Sequence, residues 1–186
     1  MFGGKKGKDD GADGEEAKDE VEMADQNAAE SKEDEAPSVG EMRRGDYMIH
    51  VFVEKGKEFA VPESSTIDPL VEVTCLNQKQ YSSAKDNIGG LGEVVWSEHL
   101  FLEPKNVEKV DAEEGKIVIK LLDKGFLKNS LIGVFDFDLS YIYNMKDHLL
   151  LHQWIALSNP NSEDYAKITG YLKISISVAC TGDEQV

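Results

Sequence analysis

Val118–Leu139, VIKLLDKGFLKNSLIGVFDFDL, is the stretch whose reading decides the fold. Just upstream and into it, GKIVIKLL puts Ile117, Ile119 and Leu121 on one side and Lys116 and Lys120 on the other. Further on, Phe135, Phe137 and Leu139 share a side that Asp136 and Asp138 do not. A period of two is the signature of a half-buried strand, because successive side chains point to opposite faces of a sheet. Asp136 and Asp138 are therefore expected in water, as the polar face of a strand and not as a metal-binding pair. Between the two strands Lys124-Gly125-Phe126-Leu127-Lys128 reads as a loop with an apolar centre and a cation on either side.

Working outward, the same period returns in YMIHVFVEKG, LVEVTCLNQKQYSS, GEVVWSEHLFLEP, HQWIALS and GYLKISISVAC. Gly, Pro, Asn, Asp and Ser separate these short runs, which are rich in Val, Ile, Tyr and Phe. About seven or eight such strands with one helical turn, near YIYNMKDHLL, indicate an antiparallel β-sandwich or barrel. Trp96 and Trp154 lie within these runs, and both are expected in the core.

The 186 residues leave room for one ordinary domain and a tail. Met1–Gly40 carries 13 Asp and Glu against 5 Lys, so half of the formal charge of −16 sits there. That segment has no Ile, Leu, Tyr or Trp, and Phe2 is its one aromatic residue. With little apolar surface to offset the entropy of ordering, residues 1–42 are expected to form a disordered acidic tail that folding does not need. The domain is placed at 43–182, with 183–186 as a C-terminal end or linker. MFGGKKGKDD is neither a secretory leader nor an N-myristoylation signal, and no apolar run is long enough to span a bilayer. Cys75 and Cys180 are far apart in strand contexts and are expected to be buried free thiols, as in a reducing cytosol. The acidic balance disfavours nucleic acid, which rewards clustered Lys and Arg.

The order of the pieces resembles a C2 domain. Asp68, Pro69 and Val71 match that family's Asp-Pro-Tyr-Val, with Leu70 in place of Tyr. Trp96 matches the aromatic residue that follows Asn-Pro, although Glu93-Val94-Val95 replaces that dipeptide; Ile132 and Gly133 match the Ile-Gly after the third loop. Towards the C-terminus His152, Trp154, Leu157, Ser158 and Pro160, then Gly170, Tyr171 and Lys173, are similar to the end of the second C2 domain of ferlins. The similarity spans about Asp46 to Gly182. It implies an all-β, eight-stranded antiparallel sandwich with binding loops at one end. It also implies a fragment or short relative of long, membrane-anchored proteins with many C2 domains.

Calcium-binding members of that family hold the ion with about five acidic residues, since Ca²⁺ takes 6–8 oxygens. Here Asp68 and Asp123 occupy ligand places, with Glu63 a degenerate third; Pro62, Gly125 and Asn129 or Ser130 stand where further acids are expected. No metal and no cofactor is therefore expected. Asp68 is read as an acceptor for loop backbone donors. Lys124, Phe126, Leu127 and Lys128, with Phe59 and Val61 of the first loop, are the candidate membrane contacts: apolar residues would enter the interface, and lysines would meet anionic headgroups. The alternative folds Phe126 and Leu127 back onto the sandwich.

No catalytic role is expected. His148 and His152 are four apart without HExxH, and DNIGGLGE lacks the Lys-Ser/Thr and the helix of a phosphate loop. The expected function is a calcium-insensitive C2 module contacting anionic phospholipid or neighbouring protein domains. Its setting would be vesicle trafficking and membrane fusion, on the cytoplasmic side of a vesicle or the plasma membrane. Two alternatives stay open: a protein–protein module without lipid binding, which the charge of −8 outside the tail favours, and a calcium-dependent phospholipid binder.

Overall fold

The computed structural model describes residues 41–63, 65–164 and 166–183. The acidic tail lies outside them apart from Glu41 and Met42, and Met42 is buried. Eight strands follow in order: β1 Tyr47–Lys57, β2 Pro69–Cys75, β3 Gln78–Tyr81, β4 Glu93–Leu102, β5 Lys116–Asp123, β6 Ser130–Asp138, β7 Leu149–Ser158 and β8 Ile168–Cys180. Every pairing is antiparallel, in the spatial order β3-β2-β5-β6-β7-β8-β1-β4. Between β6 and β7 a single residue pair, Val134 with Ser158, carries the ladder. That weak seam divides the strands into two layers of four, β3-β2-β5-β6 and β7-β8-β1-β4, an eight-stranded antiparallel β-sandwich.

The period-two reading holds where strands are regular. Ile117, Ile119 and Leu121 are fully buried, and Lys116 stands outside. Asp136 and Asp138 are exposed and pair with Lys116 at 2.7 and 3.4 Å, so the polar face of β5–β6 neutralises itself. Ile49, Val51 and Val53 of β1 and Leu172, Ile174 and Ile176 of β8, neighbouring strands of one layer, line the same side of the core. Cys75 and Cys180 are free and buried; burial pushes the Cys75 thiol up to about 12.

Local backbone chemistry changes the reading in three places. LVEVTCLNQKQYSS is two strands, because Leu76 and Asn77, at φ 47° and 63°, form a tight two-residue turn between β2 and β3. A short helix, α1 Lys109–Glu114, was not expected; it buries Ala112 against the core. Near the expected helical turn stands α2, Leu139–Tyr143, burying Leu139, Ile142 and Tyr143.

The third change is in β7. Leu150 pairs with Ile176 and Gln153 with Ile174, so β7 carries one extra residue, with His152 at φ 51°. A bulge of one residue moves everything beyond it to the opposite face. Ile155 and Leu157 enter the core, and Trp154 is half-buried on the outer face. The expectation of a core Trp154 is thus corrected. Trp96, in β4, is buried as expected, its indole N–H donating to the Ser83 carbonyl at 3.0 Å.

Arg43 and Asp183, which border the domain as read from the sequence, are paired to each other. Asp183 also accepts from the Tyr143 hydroxyl at 2.7 Å and from the Cys180 backbone N–H at 2.6 Å.

Candidate functional site at the loop end

Three connections meet at one end of the sandwich: loop 1 (58–68) after β1, loop 2 (82–92) before β4, and loop 3 (124–129) between β5 and β6. Loops 1 and 2 pair through Ile67 and Ile88, whose backbone hydrogen bonds are 2.9 and 2.8 Å. Asp68 ties all three together. Its N–H donates to the Asp123 carboxylate and the Asn87 N–H donates to its own carboxylate, each at 2.8 Å. Its carbonyl accepts from Lys124 N–H at 2.9 Å. A carboxylate at a strand end collects the backbone donors that a loop leaves unpaired. Asp68 therefore serves as a loop acceptor, and Asp123 does the same for Asp68. Glu63 is exposed on loop 1, and among the described residues no three His, Cys, Asp or Glu converge on a point.

Loop 3 presents its apolar residues outward. Gly125 allows this, because a Cβ there would collide with the Lys128 carbonyl, and the resulting tight turn pushes Phe126 and Leu127 out. Phe126 is fully exposed and Leu127 is 91% exposed, so they do not fold back on the sandwich. Lys124 and Lys128 are exposed on either side, and neither has an ion-pair partner among the described residues.

Loop 1 is different. Phe59 is 3% exposed, its ring tilted against Trp96 at 6.4 Å between centroids, and its atoms fill the space beside Gly56 and Gly170. As a membrane contact it is corrected: it anchors the loop from inside, since an aromatic beside two glycines finds room in the core. Val61 is half-buried, against Gly90. The sequence reading missed Leu91, which is fully exposed on loop 2 at the same end. Its signal was present, an apolar residue between glycines in NIGGLGE with no strand to join.

Of the sequence-chosen set, the structure thus brings Lys124, Phe126, Leu127 and Lys128 together at the tip of loop 3, while Val61 lies against Gly90 of loop 2 and Phe59 is in the core. No described helix is long and apolar enough to cross a membrane.

No protein-family model matches the chain. Myoferlin of Xenopus tropicalis is 29% identical over 141 residues, which is 75% of this chain and 7% of that protein. Human myoferlin is 26% identical over 140 residues, 75% of this chain and 6% of that protein. The chain thus spans less than a tenth of the length of these relatives. Among solved structures, a C2 domain of plant extended synaptotagmin 1 superposes with a TM-score of 0.58 at 14% identity, covering 76% of this chain and all of that domain. The calcium-bound pair of C2 domains from extended synaptotagmin 2 superposes with a TM-score of 0.56 at 16% identity, covering 76% of this chain and 45% of that one.

Proposed function

We propose that this chain, which is a C2 domain related to ferlins, works as a calcium-insensitive module that sets its loop end on anionic membrane. In this reading it serves vesicle trafficking or membrane fusion, peripheral on the cytoplasmic face of a vesicle or the plasma membrane, as one unit of a larger ferlin-like protein. It binds and does not catalyse.

The observation that carries the reading is the loop 3 tip: two large apolar side chains in solvent between two lysines without carboxylate partners among the described residues. Large apolar groups held out by a tight turn favour transfer into an interface, and each lysine near an anionic surface adds about 1 kcal/mol. Leu91 adds a third apolar contact from loop 2. Asp68 and Asp123 already satisfy backbone donors, and Pro62 and Gly125 bring no oxygen side chain; both facts support calcium insensitivity.

The test is co-sedimentation with phosphatidylserine-containing vesicles. Binding is expected to persist in chelator, to weaken with salt, and to fall by about tenfold or more in Phe126→Ser/Leu127→Ser, at unchanged stability. Binding that requires calcium, or that ignores the double substitution, refutes the reading. A second reading, a protein-binding module, is favoured by the outer face of β1–β4. There Met48 and Phe101 are 45% and 46% exposed beside His50, Phe52 and His99. Failure on vesicles would put it first.

A further inference from the structure

Two bulges build a feature on the outer face of β7-β8-β1 that the loop reading does not use. In β1 an extra residue lies between Val53 and Lys55, and in β7 between Leu150 and Gln153. The first aims Lys55 and Lys57 outward; the second turns Trp154 out of the core to the same side. Bulges recur where a side chain must be re-aimed. The register then lines up Lys55, Lys173 and Trp154 across three strands, with Lys57, Tyr171 and Ala156 in the next row.

The side chains meet as the register requires. Lys57 Nζ stands 5.2 Å from the Trp154 ring centroid and 5.9 Å from that of Tyr171, and Lys55 Nζ stands 5.9 Å from Trp154. Two aromatic faces turned towards one cation are the arrangement by which proteins hold ammonium groups, quaternary ones above all. The lysines mark where that cation sits.

The charges around the rings are balanced. Lys55 pairs with Glu93, Lys57 with Glu58 and Lys173 with Glu54, each at 3.2 Å, and Glu54 also takes His152 at 2.7 Å. Three cations against three carboxylates give a purely anionic surface no net attraction. A zwitterion suits such a patch, because it offers a cation to the rings and an anion to the lysines. The Lys55–Glu93 and Lys57–Glu58 pairs are largely exposed, and pairs of that kind hold weakly enough to exchange partners.

We propose that Trp154 and Tyr171, with Lys55 and Lys57, bind a phosphocholine group. The trimethylammonium takes the place of the Lys57 ammonium over the rings, and the phosphate takes the two freed lysines. Lys57 is the last residue of β1 and pairs with Glu93, two positions past Leu91, so the site adjoins the loop end. As a lipid-headgroup site it rests on the membrane reading above; as a site for soluble phosphocholine it does not.

Soluble phosphocholine titrated into the whole protein, followed by the Trp154 indole N–H signal in NMR and by tryptophan fluorescence, is the test. A saturable change is expected, lost in Trp154→Leu and weakened at least about tenfold in Lys55→Gln/Lys57→Gln, with choline or inorganic phosphate alone at least about tenfold weaker. The buried Trp96 signal reports whether each variant is folded, and Tyr171→Leu replaces Trp154→Leu if that protein is not. Phosphatidylcholine vesicles then separate the sources: weaker sedimentation of Trp154→Leu assigns the site to lipid. Phosphocholine binding without sedimentation on phosphatidylcholine vesicles leaves the site standing as one for soluble phosphocholine, and the membrane reading stands or falls on the phosphatidylserine-containing vesicles. No response to phosphocholine overturns the site whatever the vesicles do. An equal response to choline, or to a trimethyl-lysine peptide with no effect of the lysine substitutions, overturns the phosphate contact and with it the phosphocholine assignment.

Discussion

Trp96 and Trp154 differ by which side of a sheet they stand on, and their stabilities on truncation follow. Trp96 is buried against Phe59 with its indole N–H paired, so Trp96→Ala is expected to cost about 3–5 kcal/mol. Trp154 lies half-buried under two lysines, so Trp154→Ala is expected to cost about 1 kcal/mol or less. Urea midpoints of the two variants check the pair, and similar losses would return Trp154 to the core. Gly133 of β6 gives a third residue-scale expectation. A Cβ there would collide with the Thr169 hydroxyl and come within 2.8 Å of Leu157 Cβ. Gly133→Ala should lose about 1–3 kcal/mol to overpacking. Thr169→Ala in the same chain should return part of that loss, since residues in contact do not add.

Elements pair side chains that lie far apart in the chain, and β1–β4 supplies the case with a pH consequence. His50 Nε2 and His99 Nδ1 are 2.7 Å apart, with Phe101 stacked on His50 and Phe52 on His99. Burial, then charge repulsion between the two rings, hold the His50 imidazole below its ordinary 6.5. A base whose pKa is lowered by folding holds fewer protons in the native state than in the unfolded chain. Its contribution is therefore complete above pH 6.5 and is lost as the pH falls from there through the lowered value. The urea midpoint is expected to drop between about pH 7 and 5. His50→Gln should flatten that drop by removing the titrating group. An equal slope in both proteins would place the acid sensitivity elsewhere.

For the whole molecule, charge and ligand linkage give two further expectations. Burial opposes ionisation of Glu54 and Glu72, but His152 and Lys173 around the first, and Tyr81, Lys120 and Lys79 around the second, hold both carboxyls below the ordinary range. Carboxyls lowered by folding contribute stability above the unfolded value, about 4.3, and lose it as pH falls through the native one. Acid unfolding should thus steepen below about pH 4, apart from the histidine step, and Lys120→Met should shift that steep part upward in pH. Millimolar calcium should leave the melting temperature unchanged, because the oxygens of Asp68 and Asp123 already accept backbone N–H groups. A micromolar site would add about 4 kcal/mol at a thousandfold excess of calcium, a shift that any melting curve would register.

By itself the sequence determined the β class, the buried face of each regular strand and the end of the molecule at which to look. Those depend on local properties: a period of two, turn residues between runs, and a Lys-Gly-Phe-Leu-Lys loop whose glycine permits a tight turn. Ile117, Ile119 and Leu121 went inside, and Asp136 and Asp138 outside, as their alternation required. Tertiary structure alone decided what depends on one extra residue or on a neighbour distant in the chain. The bulge in β7 has no composition signal, yet it moved Trp154 across the sheet and brought it under Lys55 and Lys57. Phe59 reads as a loop residue until Gly56 and Gly170 open a space in the core that only a large ring fills. Leu91 joins Phe126 and Leu127 at one end because Ile67 and Ile88 zip loop 1 to loop 2 while Asp68 ties both to loop 3. Alternation is a property of neighbours along the chain, and it survives until a backbone defect shifts its phase. Which surfaces meet is set by closure of the two layers, which no local pattern encodes.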